Sequence, residues 1–257
     1  MEQLIYTLLA YINNSLDKDI NYSIAKSLLE HIDKIERFSL ETAAEACNVA
    51  PSTINRFCKR LGFRNFSHLR SSAAMQVGAY SGDEYEKLLS PDMLEKKLKE
   101  NIEMIANIKT EQLERVASSI YESKKIVILG FEKNQIQALE LQKRLLLLGK
   151  FCECSTNLFK QVDALSLLTE EDMIITISIQ GNILMEELAI IDKIEMAKGK
   201  KLLITFSDAL KQQEVFDELL QCGKIENSAV SAYTLLRLFD VLVYRYQEQY
   251  SSRNWSK

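Results

Sequence analysis

Between Ala46 and Gly82 the sequence carries Arg56, Lys59, Arg60, Arg64 and Arg70, and not one Asp or Glu, in a chain whose formal net charge is -4. Cations gathered without acids suit one partner above others, a polyanion. Arg grips a guanine edge or a phosphate with two parallel hydrogen bonds, Asn matches adenine in the same way, and Lys acts as a point charge. A phosphate backbone feels local potential and not net charge. Residues 1–90 hold ten Lys or Arg against eleven Asp or Glu, so these cations are segregated rather than abundant. The alternative is a solvated amphipathic helix with a basic face.

The elements around them decide between the two. "SLETAAEAC" reads as an alanine-rich helix with Ser39 as its N-cap. "NVAP" reads as a tight turn in which Asn48 takes the left-handed conformation, and Pro51 suits the first position of the next helix. In that helix, Pro51 to about Leu61, the residues Ile54, Phe57, Cys58 and Leu61 recur at helical spacing and predict a buried face. Ser52, Thr53, Asn55, Arg56 and Lys59 then point outward. Helix, turn and cationic helix make a helix-turn-helix, whose second helix enters the major groove. The expected roles are base reading by Asn55 and Arg56, flanked by Ser52 and Thr53, with Lys59, Arg60 and Arg64 on phosphates. Upstream, Ile24, Leu28, Ile32 and Ile35 mark a further amphipathic helix, with His31 on its surface. His68 is expected near DNA or exposed.

The stretch "SLETAAEACNVAPSTINRFCKRLGFRNFSHLR" resembles the N-terminal helix-turn-helix of the RpiR family of bacterial transcriptional regulators. The matching positions are Ala44, Glu45, Ala46, Val49, Thr53, Arg56, Phe57, Cys58, Lys59, Leu61, Gly62, Phe63, Phe66 and Leu69. Ala50 stands where that family usually has a serine N-cap, a loss of about 1 kcal/mol of helix stability. Asn48 stands in place of a turn glycine. The resemblance implies a second domain of sugar isomerase (SIS) type that senses phosphosugars.

The second half of the chain fits an α/β domain. "KIVILG" (125–130), "MIITIS" (173–178) and "KLLITFS" (201–207) are short β-branched runs, each followed by a helix-like segment, which predicts a parallel sheet covered on both faces. "FCECST" (151–156) and "GKIEN" (223–227) are weaker strands. The run from Asp92 to about Lys124 predicts helix with a break near Lys109–Thr110, and a long helix spans about Ala229 to Gln249. Its wide apolar surface suggests packing plus a subunit interface. The fold expected is therefore α/β, an all-helical domain at 1–75, a linker at 76–92, a connecting helical segment at 93–124 and an SIS-like domain at 125–257.

In SIS domains a phosphate is held by hydroxyls and backbone N–H groups at helix starts. The resemblance places such a site at Asn134, Ser178, Gln180, Gly181 and Asn182. Two departures weaken it as a phosphate site: Gln180 and Ile183 replace hydroxyl residues, and Glu132 beside Lys133 replaces a glycine and puts a carboxylate near the anion. A retained cleft with an altered ligand and a vestigial, dimerising domain are the alternatives.

Other classes are disfavoured. The N-terminus lacks a basic leader and no apolar run reaches a membrane span, which suggests a cytoplasmic protein. Cys47, Cys58, Cys152, Cys154 and Cys222 lack the spacing of a metal site, so no metal or other cofactor is expected, and the thiols read as reduced. Catalysis by a sugar-phosphate isomerase calls for a base at the substrate carbons, often with a histidine. Both histidines lie in the N-terminal third, so the chain reads as a non-enzyme. The implied partners are a pseudo-palindromic double-stranded operator, a phosphosugar effector and a second copy of the chain, as homodimer or homotetramer.

Overall fold

Side-chain oxygens start the first helices where the sequence places Asp and Ser. Asp19 accepts the N–H of Tyr22 and opens α2 (Ile20–Glu30), behind α1 (Glu2–Asn14). Ser39 accepts the N–H of Thr42 and opens α3 (Leu40–Ala46). A single 3-10 turn, Ile35–Arg37, lies between them, followed onward by α4 (Pro51–Arg60) and α5 (Phe66–Ala74). Leu4, Leu8, Ile24, Leu28, Ile35, Ile54, Phe57 and Leu69 are fully buried in one core. The helix containing Ile24 and Leu28 ends earlier than its spacing suggests. His31 caps its C-terminus with Nδ1 2.8 Å from the Ser27 carbonyl oxygen and its ring against Phe38. Ile35 reaches the same core from the 3-10 turn.

The computed structural model describes residues 2–74, 87–130, 134–155, 158–181, 190–208, 214–224 and 227–250. The chain divides into two compact units, Met1–Gln76 with Thr156–Lys160, and Val77–Ser155 with Gln161–Lys257. Most of the expected linker, residues 76–86 of 76–92, lies outside the described residues.

The second unit is built on a parallel sheet of β1 (Ile126–Gly130), β2 (Met173–Ile177), β3 (Lys200–Thr205) and β4 (Glu218–Gln221), hydrogen-bonded in that order. Its helices are α6 (Pro91–Ala106), α7 (Thr110–Glu122), α8 (Asn134–Leu147), α9 (Leu158–Leu165) from Gln161 on, α10 (Ile190–Met196) and α11 (Ser228–Tyr250). Alternation sorts the strand residues. Ile126, Ile128, Met173, Ile175, Ile177, Leu202 and Ile204 share a core with α7, α8 and α11. Val127, Leu129, Ile174 and Leu203 between them are buried too, so both faces are covered, as parallel strands require.

Two weaker strand expectations change. Residues 151–156 contribute one parallel bridge, Val127 to Glu153, secured by the Ile128 N–H on the Glu153 carbonyl at 2.8 Å. Among the described residues the last strand is Glu218–Gln221; of the expected 223–227, Gly223, Lys224 and Asn227 are outside any strand and residues 225–226 lie outside the described residues. A Cβ at Gly223 would come within 2.8 Å of the Phe206 ring, so the position suits a residue without a side chain. The break near Lys109–Thr110 falls between α6 and α7, as expected.

The Glu153 bridge matters for function. The chain leaves β1, returns to its one edge at Glu153, then crosses to its other edge at β2. That reversal makes the carboxyl ends of β1 and β2 a topological switch point, where open α/β sheets form their ligand crevice.

Candidate nucleic-acid interface and ligand crevice

The turn between α3 and α4 is closed by paired backbone bonds, Val49 N–H to Ala44 and Asn48 N–H to Glu45, both 3.0 Å. This closure needs a left-handed residue, and Asn48 supplies it at φ 52°. α4 ends the same way. Phe63 N–H reaches Cys58 at 2.9 Å and Gly62 N–H reaches Lys59 at 3.0 Å, with Gly62 at φ 94°. Phe63 is then buried against the core. The Leu61-Gly62-Phe63 sequence is therefore a stop that fixes the length of the cationic helix.

On α4 the apolar residues Ile54, Phe57 and Cys58 are buried, while Ser52, Arg56, Lys59 and Arg60 are exposed and Thr53 and Asn55 half-buried. Arg56 Nη2 donates to Thr53 Oγ1 at 3.2 Å, which restrains the guanidinium above the helix surface. Ala50 holds the N-cap position with no side-chain hydrogen bond.

Asn55 departs from its expected role. Its Oδ1 accepts the backbone N–H of Phe66 at 3.0 Å, so one half of a bidentate base contact is already spent. Beyond it, Asn65 accepts the His68 N–H at 2.9 Å, and His68 Nδ1 accepts the Arg64 N–H at 3.2 Å. His68 also stands edge-on to Phe63. It holds the α4–α5 corner and is only partly exposed. Arg64 keeps an exposed side chain there. Arg70, the fifth cation of the acid-free window, donates to the Phe38 carbonyl at 3.0 Å and is structural. Space also supplies an acid that the window lacks. The carboxyl of Asp19 is held below the ordinary carboxylate range by the Tyr22 N–H and the Asn21 amide, with a weaker pull from Arg60.

In the second unit the crevice begins at Gly130, where a Cβ would lie 2.6 Å from Ala138 Cβ. Glycine lets α8 pack against the strand end. The Gly130 N–H donates to Gln161 Oε1 at 3.1 Å, and Gln161 Nε2 donates to the carbonyls of Gly130 and Ser155 at 3.2 and 2.6 Å. One buried amide thus bridges two diverging chain segments as a peptide would. Across the switch point, Ser178 is 1% exposed and its Oγ has no hydrogen-bond partner among the described residues. Thr205 Oγ1 donates to the Ser178 carbonyl at 2.7 Å and accepts the Ser207 N–H at 3.0 Å. Gly181 turns with φ 86°, and Gln180 is half-buried beside it. Asn134 is buried at the start of α8.

The structure therefore sets Asn134 at the end of β1 and Ser178, Gln180 and Gly181 at the end of β2. Asn182, Ile183, Glu132 and Lys133 lie outside the described residues. Gln161, Thr205 and Ser207 were missed. Their partners are distant in sequence or carry no motif, so no local signal marks them.

Residues 6–78 match the family model described as the helix-turn-helix domain of the rpiR family. The N-terminal helices form an rpiR-family helix-turn-helix domain. Two curated relatives are named HTH-type transcriptional regulators. One, in the aarA 3′ region of Providencia stuartii, is 24% identical over 64% of this chain and 62% of its own. The other, from Haemophilus influenzae, is 25% identical over 62% and 59%. The chain spans about three fifths of the length of these relatives. Among solved structures, the Vibrio vulnificus NanR protein complexed with ManNAc-6P aligns over 97% of this chain and 93% of its own, with a TM-score of 0.55 and 18% identity. The sugar isomerase domain of an RpiR transcription factor from Sphaerobacter thermophilus aligns over 63% and 92%, with a TM-score of 0.55 and 17% identity. At such identities the likeness is one of fold. It bears out the α/β class, a helical N-terminal domain followed by a domain built on a parallel sheet.

Proposed function

We propose that this protein is a DNA-binding transcriptional regulator of the RpiR type, one that controls sugar-metabolism genes in response to a phosphosugar or related ligand. The observation that carries the reading is the exposed cationic face of α4, restrained by the Arg56–Thr53 bond and closed by Asn48 and Gly62. Arg56 reads a base edge, with Ser52 and Thr53 flanking, while Lys59, Arg60 and Arg64 hold phosphates. Asn55 contributes at most its amide N–H. The protein acts in the cytoplasm as a homo-oligomer, and a dimer sets two such helices on a pseudo-palindrome about 34 Å apart. A ligand enters the crevice between Asn134 and Ser178–Gly181.

An enzyme on this fold is the weaker reading. His31 and His68 both serve the helical unit and its backbone, which leaves no histidine for the crevice. A regulator whose second domain has lost its ligand has one observation in its favour. The Gly130 N–H, a donor at the head of the crevice, is given to Gln161.

Selection of binding sites from genomic DNA tests the regulator. The wild type is expected to enrich one pseudo-palindrome, and Arg56→Ala to lose about 1–3 kcal/mol on it and far less on random DNA. A panel of hexose and pentose phosphates added to the same titration names the effector by the sugar that shifts binding. No enrichment by a folded protein would overturn the regulator; no response to any sugar favours the ligand-free alternative.

A further inference from the structure

Two residues of α6 are buried, Asn101 and Ile105, and one of the two is an amide. Asn101 is 2% exposed, so both ends of its side chain must find partners inside the unit. Its Nδ2 donates to Thr234 Oγ1 of α11 at 3.0 Å, and its Oδ1 accepts the backbone N–H of Lys224 at 3.2 Å. Lys224 lies just past the end of β4. A leucine at position 101 would anchor the helix wherever that chain segment stood. A hydrogen bond does not, because it weakens steeply once donor and acceptor part or lose alignment. The hold on α6 thus depends on where the chain after β4 lies.

That segment is tied to the crevice as well. Gly223 is wedged between Phe206 and Asn101: a Cβ there would lie 2.8 Å from Phe206 Cε2 and 3.0 Å from Asn101 Nδ2. Phe206 directly follows β3, is buried, and donates its N–H to the Ile179 carbonyl at 3.3 Å. Its neighbour Thr205 donates to the Ser178 carbonyl and accepts the Ser207 N–H. Contacts therefore run unbroken from Ser178 and Ile179, at the crevice, through Thr205 and Phe206 to Gly223, Lys224 and Asn101. A second tie leaves the same segment. Asn227 Nδ2 donates to the Lys87 carbonyl at 2.8 Å, four residues before α6 begins. Both ties grip the chain where it runs from the linker into α6. Close-packed interiors transmit such shifts instead of absorbing them.

We propose that Asn101 is a positioning residue that couples the crevice to α6: a shift of Ser178 and Ile179 moves Gly223 and Lys224 through Phe206 and so changes the hold on the helix. This rests on reading the crevice as the effector site. The coupling itself is measured without effector or operator, so its failure is distinguishable from failure of that reading. Backbone hydrogen exchange of the full-length chain is followed in α6, with α8 as the reference for global opening. Thr205→Val removes the hydroxyl that binds the Ser178 carbonyl. It is expected to speed exchange of the Ile102–Ile105 amides about threefold or more relative to α8, while Thr205→Ser leaves them unchanged. In the Asn101→Leu background, Thr205→Val is expected to lose this effect. Should Thr205→Val misfold, Asn101→Leu alone provides the second measurement, with faster exchange expected at the distant Ser207 amide. A purely structural Asn101 would disturb Lys224 and leave Ser207 alone. Exchange in α6 that ignores Thr205→Val, an undiminished response in the double variant, or an unmoved Ser207 amide in Asn101→Leu would each overturn the proposal.

Discussion

The side-chain oxygen of Asn55 and the backbone N–H of Phe66 are joined at 3.0 Å across eleven residues of sequence. This bond ties the reading helix to the start of α5, in a partly buried corner. An adenine contact through both amide atoms requires Oδ1 to aim at the base, and here it aims at the backbone. Asn55→Ala is expected to leave the Phe66 N–H unpaired, at about 1–3 kcal/mol of stability, and to weaken operator and random DNA equally. Asn55→Asp keeps an acceptor and should restore protection of the Phe66 amide in hydrogen exchange. A loss confined to one base pair of the operator would return Asn55 to the reading face.

Ala50 occupies an N-cap position in extended conformation, φ -72° and ψ 148°, without a capping oxygen. Ala50→Ser supplies one without altering the backbone. The expected gain is about 1 kcal/mol, seen as roughly fivefold slower amide exchange in the core of α4. Sequence preference on DNA should not change. Unaltered exchange would show that the uncapped N–H groups already have another partner.

Asp172 precedes β2 and ties its own turn to Lys125, just ahead of β1. Burial opposes its charge, but the N–H and hydroxyl of Thr169, the N–H of Lys125 and the Lys125 ammonium outweigh that and hold its carboxyl below the ordinary range. A group depressed on folding contributes stability above its unfolded pKa and loses it as pH falls through the folded value. Wild type is therefore expected to lose stability progressively below about pH 4, and Asp172→Asn to lose less over the same range. Parallel acid denaturation curves would contradict this.

The thiols should be inert in the native protein. Burial pushes Cys58 and Cys152 up to about 12 and Cys154 to about 11, and it raises Cys222 as well. At pH 8 the thiolate fraction is then minute, and a buried sulfur is also out of a reagent's reach. Iodoacetamide is expected to spare Cys58, Cys152 and Cys222 until the protein is unfolded. Rapid native alkylation of Cys152 would revive a redox role for it.

Features set by near neighbours were legible in the sequence. Ser39 caps α3, Asn48 turns left-handed, Pro51 opens α4, and Ile54, Phe57 and Cys58 go inward. Each depends on residues within about one helical turn, so spacing alone determines it. The β-branched runs likewise located three strands, because a short unbroken apolar run is itself the mark of a strand buried on both faces. The strand at Glu218–Gln221 was not found, since a short edge segment carries little pattern.

Only the tertiary structure decided which polar groups are free to act. Asn55, Arg70 and His68 resemble DNA ligands in a list of residues, yet Phe66, Phe38 and Arg64 claim their hydrogen-bonding atoms. Gln161 has no motif, yet it bridges Gly130 and Ser155 at the head of the crevice. The physical reason is the same in each case. A buried backbone N–H or carbonyl must be paired, and the side chain that pairs it is chosen by proximity in space. By itself the sequence determined the helix-turn-helix, its cationic face and the α/β class; folding determined which of those cations and amides remain available to a partner.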